Sequence, residues 1–134
     1  MREILFRAKR IDTGEWIEGS LIHQTMFYGD PVDRYHILYD GEFHADYYGS
    51  AEVIPETIGQ FTGLLDKNGK KIFEGDVVTC NISYEMGGYP YCARITSPVI
   101  YNYGIFKPLH RCDDYSVEVI GNIYDNPELL EVKK

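Results

Sequence analysis

Residues 61–81, FTGLLDKNGKKIFEGDVVTCN, contain the turn and the strand that decide the fold of this chain. Asn68 and Gly69 stand between an apolar Leu-Leu pair and an apolar Ile-Phe pair. An Asn-Gly dipeptide adopts positive φ angles at low cost, and flanking apolar residues are typical of paired strands. We therefore predict a β-hairpin that is closed by residues 66–70.

The segment that follows this hairpin alternates with a period of two. Glu74, Gly75 and Asp76 form a second turn, and residues 77–84 then place Val78, Cys80, Ile82 and Tyr84 on one face. That period is typical of a half-buried strand. The pattern predicts that the face carrying these four residues is directed at the core.

Extended segments dominate the rest of the chain. The further predicted strands are residues 3–10, 16–24, 35–40, 43–48, 51–54, 91–96, 99–103 and 115–124. Residues 25–34, which contain Gly-Asp-Pro, are predicted to form a loop. Gly19 predicts a bulge or a close backbone approach, and Gly121 predicts a kink, since both interrupt a strand pattern. Residues 126–131 begin with Asn-Pro-Glu, which predicts one or two helical turns.

These segments predict one mainly-β domain of antiparallel hairpins with a short C-terminal helix. The hairpins form either a small barrel-like domain or two lobes, residues 1–54 and 61–126. The Glu-Gly-Asp turn before an alternating strand is similar to the entry of small SH3-like barrels, which makes an SH3-like second lobe an alternative.

Composition restricts the class of partner. The 134 residues carry a formal net charge of −8, and Lys and Arg form no large cluster. Binding to duplex nucleic acid requires a basic surface, so it is disfavoured. No apolar run approaches the ~18 residues of a membrane helix. Three cysteines at positions 80, 92 and 112 fit neither a disulfide framework nor a zinc site, and a reducing cytoplasm is predicted.

Acidic residues of the central turns raise the question of a metal or acid–base site. Glu74 and Asp76 are two positions apart, and Asp66 belongs to the preceding hairpin. Such a site needs carboxylates that converge on one point. Turn chemistry alone accounts for these residue types. We therefore predict structural turn roles for Asp66, Asn68, Gly69, Glu74, Gly75 and Asp76.

Other reactive residues have no supporting pattern. His36, His44 and Asp46 could bind a metal, but no ligand-spacing motif is present, so we interpret them as solvent-facing polar residues. The three cysteines are interpreted as inert core or surface residues, because no histidine is placed beside them by sequence. We predict no catalytic residue, no metal and no cofactor.

Tyrosines form the remaining candidate site, and they are Tyr84, Tyr89, Tyr91, Tyr101 and Tyr103. Three interpretations are open: packing in the core, a protein interface, and stacking of single-stranded bases. Stacking sites need a positive groove, and Arg94 and Lys107 supply little charge for one. Protein interfaces favour Tyr and tolerate an acidic rim.

Several blocks of the sequence resemble the YopX family of phage and prophage proteins. The matching blocks are residues 4–8 (ILFRA), 58–64 (IGQFTGL), 66–70 (DKNGK), 72–78 (IFEGDVV), 119–124 (VIGNIY) and 126–130 (NPELL). The resemblance implies a mostly β protein of a bacteriophage or prophage. It implies no assigned activity, so no catalytic residues are carried over.

We therefore predict a non-enzymatic accessory protein that binds another protein or assembles with itself. One alternative is a nucleic-acid-associated module that uses the SH3-like lobe. A second alternative is a metal-dependent enzyme that uses Glu74 and Asp76.

Overall fold

The structure, a computed structural model, describes residues 3–39 and 49–131. It divides into two compact units, Met1–Phe61 and Thr62–Lys134. The strands of the described residues are β1 Phe6–Lys9, β2 Trp16–Phe27, β3 Asp30–Leu38, β4 Ser50–Val53, β5 Gly59–Leu65, β6 Lys71–Phe73, β7 Asp76–Met86, β8 Tyr89–Pro98, β9 Ile100–Asn102, β10 Ile105–Lys107 and β11 Glu118–Asn122. Short 3₁₀ turns span Pro55–Thr57, Leu109–Arg111, Asp114–Ser116 and Pro127–Leu130.

The mainly-β prediction is confirmed, since the described residues form antiparallel sheets linked by short turns. Over residues 3–39 and 49–131 these sheets are open, so the barrel-like alternative is not observed. The predicted C-terminal helix is a single 3₁₀ turn, Pro127–Leu130. Its preceding residue, Asn126, makes no side-chain cap, and its Oδ1 instead accepts the Asn122 backbone N–H at 3.3 Å.

The first unit is a sheet with the strand order β4-β3-β2-β1-β5. The predicted opening hairpin is confirmed, because β1 pairs antiparallel with β2. Ala8, Ile37 and Val53 are fully buried in its core. Gly19 lies directly against the backbone of β3, where a Cβ atom would overlap the Leu38 carbonyl group. The predicted close approach at this glycine is therefore confirmed.

The predicted loop over residues 25–34 is wrong. Strands β2 and β3 continue through it and are joined at Tyr28 and Gly29, with φ angles of 48° and 84°. Positive φ at both residues of a two-residue loop matches the twist of the flanking strands. A register shift after Gln24 lets Pro31 pair opposite Met26. The predicted strand over residues 43–48 lies outside the described residues.

The second unit contains a sheet with the strand order β11-β7-β8. Its core cluster comprises Ile72, Val78, Cys80, Val99, Leu109, Cys112 and Val117. Pairing between β11 and β7 changes register between Val119 and Gly121, which confirms the predicted irregularity at the glycine. The β9–β10 hairpin forms a separate two-stranded ribbon.

A disulfide joins Cys80 of β7 to Cys112, with Cα atoms 5.8 Å apart and a sequence separation of 32. The prediction that the cysteines form no disulfide is therefore wrong. Cys112 follows the 3₁₀ turn at Leu109–Arg111 and forms a β-bridge with Ile82, which brings it beside β7. Disulfides persist mainly in oxidising compartments, so this pairing does not support the predicted cytoplasmic location. The location stays a prediction.

Candidate functional site

The acidic turn residues use their carboxylates to hold backbone. Asp76 is 1% exposed, and its Oδ2 accepts the Phe73 N–H at 2.8 Å. Gly75 lies between these two residues with a φ of 93°, and a Cβ atom at this position would be 3.1 Å from the Tyr124 ring. The neighbouring Glu74 is half-buried. The Asp76 carboxylate therefore stabilises the turn that precedes β7.

Asp66 is held in the same way in the Asn68-Gly69 turn. Its Oδ1 accepts the N–H groups of Asn68 and Lys70 at 2.8 and 2.9 Å, and its Oδ2 accepts the Val119 N–H at 3.0 Å. Burial acts to raise the pKa of Asp66, but the N–H groups of Val119, Lys70 and Asn68 act to lower it. The net shift of this pKa is downward.

Of the three residues weighed as metal ligands, only His36 belongs to the part of the chain that the structure describes. His36 Nε2 lies 2.9 Å from Gln24 Oε1 on the neighbouring strand. His44 and Asp46 lie outside the described residues. Within residues 3–39 and 49–131, no three His, Cys, Asp or Glu side chains are grouped so that they could hold a metal ion.

The tip of the β7–β8 hairpin presents an aromatic surface, which we call the tyrosine arm and define as residues 83–92. Tyr84 pairs with Tyr91, and Met86 pairs with Tyr89. Directly paired residues share a face, and residues two apart on a strand share that face too. Tyr84, Met86, Tyr89 and Tyr91 therefore lie on one face of the arm.

This face continues the buried face of β7 beyond the end of the core. Val78 and Cys80 are fully buried, whereas Tyr84 is 44% exposed. The exposed fractions of Tyr91, Met86 and Tyr89 are 45%, 61% and 71%. The prediction that Tyr84 faces the core is wrong, because the hairpin extends past the residues that could cover it. The interpretation of these tyrosines as core residues is wrong for the same reason.

The two tyrosines nearest the core hold each other in place. The rings of Tyr84 and Tyr91 stack with centroids 5.5 Å apart and planes 15° from parallel. Such aromatic pairs contribute about 0.5–1.5 kcal/mol beyond the area that they bury. Each ring therefore restricts the orientation of the other.

The electrostatic environment of the arm is acidic. No Lys or Arg occurs between Ile72 and Ala93, and Glu85 lies within the arm, on the face opposite the tyrosines. Asp113 Oδ2 is 3.4 Å from Ser83 Oγ at the base of the arm. Arg94 follows the arm, but its guanidinium donates to Thr79 Oγ1 at 2.9 Å on the opposite face of the hairpin.

The other two candidate tyrosines are on a different hairpin of this unit. Tyr101, on β9, is 51% exposed, and its ring centroid lies 4.9 Å from that of Phe106. Tyr103 is 92% exposed in the turn that follows β9, and Lys107 Nζ lies 5.8 Å from its ring centroid. The structure thus brings Tyr84, Tyr89 and Tyr91 together and leaves Tyr101 and Tyr103 on a separate ribbon.

Sequence reasoning missed a cleft of about 480 Å³ in the first unit. It is lined by Ile22, Gln24, Phe27, Arg34, His36, Leu38, Ser50 and Glu52. These residues follow from the β2–β3–β4 register, which the loop predicted for residues 25–34 concealed. The one available signal was the apolar character of Ile22 and Leu38 beside polar neighbours on the same face.

A smaller apolar slot of about 180 Å³ occurs in the second unit. Its lining residues are Leu64, Leu65, Ile72, Leu109, Asp114 and Val117. They come from four separate segments of the chain, so no local pattern in the sequence could have indicated it. The exposed Leu-Leu pair at the end of β5 is the only feature of the sequence that hints at this slot.

Comparisons with known proteins agree with this fold. Residues 5–131 match the sequence model of a family described as YopX protein. A similar solved structure is that of protein EF1440 from Enterococcus faecalis, with a TM-score of 0.54 and 25% sequence identity, covering 98% of this chain and 100% of that chain. No curated protein matches the chain. In the parts of the chain that the structure describes, no helix has the length and apolar character to cross a bilayer.

Proposed function

This chain belongs to the YopX protein family, and we propose that it is a non-enzymatic phage or prophage accessory protein that binds a basic protein through the tyrosine arm. One observation carries the proposal. The arm extends an apolar strand face beyond the core and exposes Tyr84, Met86, Tyr89 and Tyr91 on that face. A monomer gains nothing in stability from leaving such a surface uncovered.

The residue types suit a protein interface. Tyrosine buries a large area, retains a hydroxyl for hydrogen bonding and loses little conformational entropy on binding. Methionine adapts its shape to irregular partner surfaces. Because Tyr84 and Tyr91 are already stacked, part of the ordering that binding requires is present in the free protein.

Charge favours a basic partner over a second copy of the chain. The formal net charge is −8, so two copies would repel each other. Glu85, on the opposite face of the arm, and Asp113, at its base, add negative charge that would attract a cationic surface at longer range. Exposed tyrosine rings also bind Arg and Lys through cation–π contacts. Self-association is therefore the less favoured form of this proposal.

The nucleic-acid alternative has less support. Base stacking on the tyrosines would need cations that follow the phosphate backbone. The absence of Lys and Arg from residues 72–93 leaves the arm without them. Glu85 in the arm and Asp113 at its base would also repel phosphates.

The proposal is tested by selecting ligands from a random peptide library displayed on yeast. Wild-type protein should enrich peptides with a net positive charge and at least one Arg or aromatic residue. Replacing both arm tyrosines, Tyr84→Ser with Tyr91→Ser, should weaken binding of these peptides about tenfold or more, because interface tyrosines are frequent hot spots.

The matched control is Tyr28→Asn, which removes an 88% exposed tyrosine from another hairpin tip. Asparagine tolerates the positive φ at that position. Binding by the control should equal that of wild type. Enrichment of acidic peptides, or equal binding by the arm variant, would contradict the proposal. Sedimentation tests the alternative of self-association. If wild-type protein forms a dimer and the arm variant does not, the partner is a second copy of the chain and not a basic protein.

A further inference from the structure

The apolar slot of the second unit has the size of a single side chain. Its volume of about 180 Å³ is well below the roughly 300–1,000 Å³ of pockets that hold whole small molecules. Leu64 and Leu65 form its outer wall and are 48% and 55% exposed. Ile72 and Leu109 form its floor and belong to the buried core. An anchor residue of a protein partner is the ligand that fits these dimensions.

Asp114 gives the slot a charge. It is exposed, and it is the only charged side chain among the described residues that line the slot. The nearby cation Lys67 pairs with Glu118, with Nζ and Oε2 3.3 Å apart. The carboxylate of Asp114 is therefore placed beside an apolar surface with no ion pair to any residue that the structure describes.

An apolar channel with an anion beside it matches the chemistry of an Arg or Lys side chain. These side chains lay their methylene stems along apolar surfaces and keep the charged group in water. Arginine is also enriched among the anchor residues of protein interfaces. A purely aliphatic side chain would make no electrostatic interaction with Asp114. An acidic side chain would be repelled by the Asp114 carboxylate.

We propose that the slot binds one long cationic side chain of the partner, with its stem against Leu65 and Val117 and its charge at Asp114. The partner itself rests on the proposed function, which assigns a basic protein to the tyrosine arm. Asp113 precedes Asp114 and approaches Ser83 at the base of the arm, on the face opposite the tyrosines.

The test is a titration of isotope-labelled full-length protein, followed by two-dimensional NMR, with N-acetyl-arginine N-methylamide as the probe. The amide signals of Leu65, Leu109 and Val117 should shift together. The citrulline analogue, which has the same shape without the charge, should bind about threefold more weakly, as expected for an exposed ion pair. Salt should reduce this difference.

Asp114→Asn should bring arginine binding down to the citrulline level. Glu128→Gln, the same charge change at an exposed residue outside the slot, should leave it unchanged. Leu65→Ser should weaken binding of both probes, and the spectrum itself reports whether each variant is folded. Equal binding of arginine and citrulline, tighter binding of the norleucine analogue, or shifts confined to other residues would overturn the proposal.

Failure of the slot and failure of the proposed function give different results. If arginine shifts the slot signals but the arm variant still binds the selected peptides, the arm proposal fails and the slot stands. If the arm variant loses the peptides but arginine does not distinguish Asp114→Asn from wild type, the slot proposal fails and the arm stands.

Discussion

The carboxylate of Asp66 accepts the backbone N–H of Val119 at 3.0 Å, although the residues are 53 positions apart. The same side chain receives two N–H groups of its own turn, from Asn68 and Lys70. One buried carboxylate therefore joins the Asn68-Gly69 turn to the last strand. We interpret it as a fixed point of the second unit rather than as a catalytic group.

Asp66→Asn should destabilise the protein by about 1–3 kcal/mol at neutral pH, because the amide cannot accept all three hydrogen bonds. The pKa of Asp66 is lowered from 3.8 in the folded state, so its charged form is favoured by folding. This contribution to stability is present above about pH 3.8 and is lost as the pH falls through the lower folded pKa.

Urea unfolding of wild type and variant from neutral pH into the acid range measures this effect. The difference between the two unfolding free energies should shrink below pH 3.8. The control Asp12→Asn, at a side chain 60% exposed, should change stability much less than Asp66→Asn does. A difference between wild type and Asp66→Asn that is constant at every pH would contradict this role.

Local sequence predicted this region well because its structure depends on neighbouring residues. The Asn68-Gly69 turn, the alternating strand that starts near Val77 and the irregularity at Gly121 follow from backbone preferences and a period of two. The bond between Asp66 and Val119 does not, since it requires two distant segments to meet. Sequence thus predicted the elements and left their long-range connections undetermined.

The Cys80–Cys112 disulfide should stabilise the protein by about 3–4 kcal/mol, as expected for a closed loop of 32 residues. Oxidised protein, unfolded without reductant, should show one reactive thiol, that of Cys92. Reduction, or Cys112→Ser, should lower the midpoint of urea unfolding. Cys92→Ser should leave it unchanged, since this thiol is exposed. Three reactive thiols in the oxidised protein would contradict the pairing.

Gly19→Ala should destabilise the protein by about 1–3 kcal/mol or more, because its methyl group would overlap the Leu38 carbonyl and push β3 away. The measurement is thermal unfolding followed by circular dichroism. Ser20→Ala, at the adjacent exposed position, is the control and should be nearly neutral. A variant as stable as wild type would show that β2 and β3 are not in contact at this point.

The surface of the arm was the part of the candidate site that sequence predicted least well. Alternation assigns Tyr84 and Ile82 to one face, but it does not tell where along a strand the core ends. The end of the core depends on which segments of the chain pack over this face of β7. In this protein they pack over it only as far as Ile82. The hairpin over residues 25–34 was missed because Gly-Asp-Pro resembles a loop unless its partner strand is known.

Replacing the arm tyrosines should leave the fold intact. Tyr84→Ser with Tyr91→Ser removes a stacked pair that is about half exposed, so the loss in stability should be no more than about 2 kcal/mol. Circular dichroism and urea unfolding measure it. Complete unfolding of this variant would mean that the tyrosines serve the core and not a partner.

The central claim is that the tyrosine arm binds a basic partner. Its most direct test is the Kd of one selected basic peptide, measured by fluorescence anisotropy with wild type and with the variant that carries Tyr84→Ser and Tyr91→Ser. We expect the Kd to rise about tenfold or more in the variant and to stay at the wild-type value in Tyr28→Asn. Equal Kd values for all three proteins would contradict the claim.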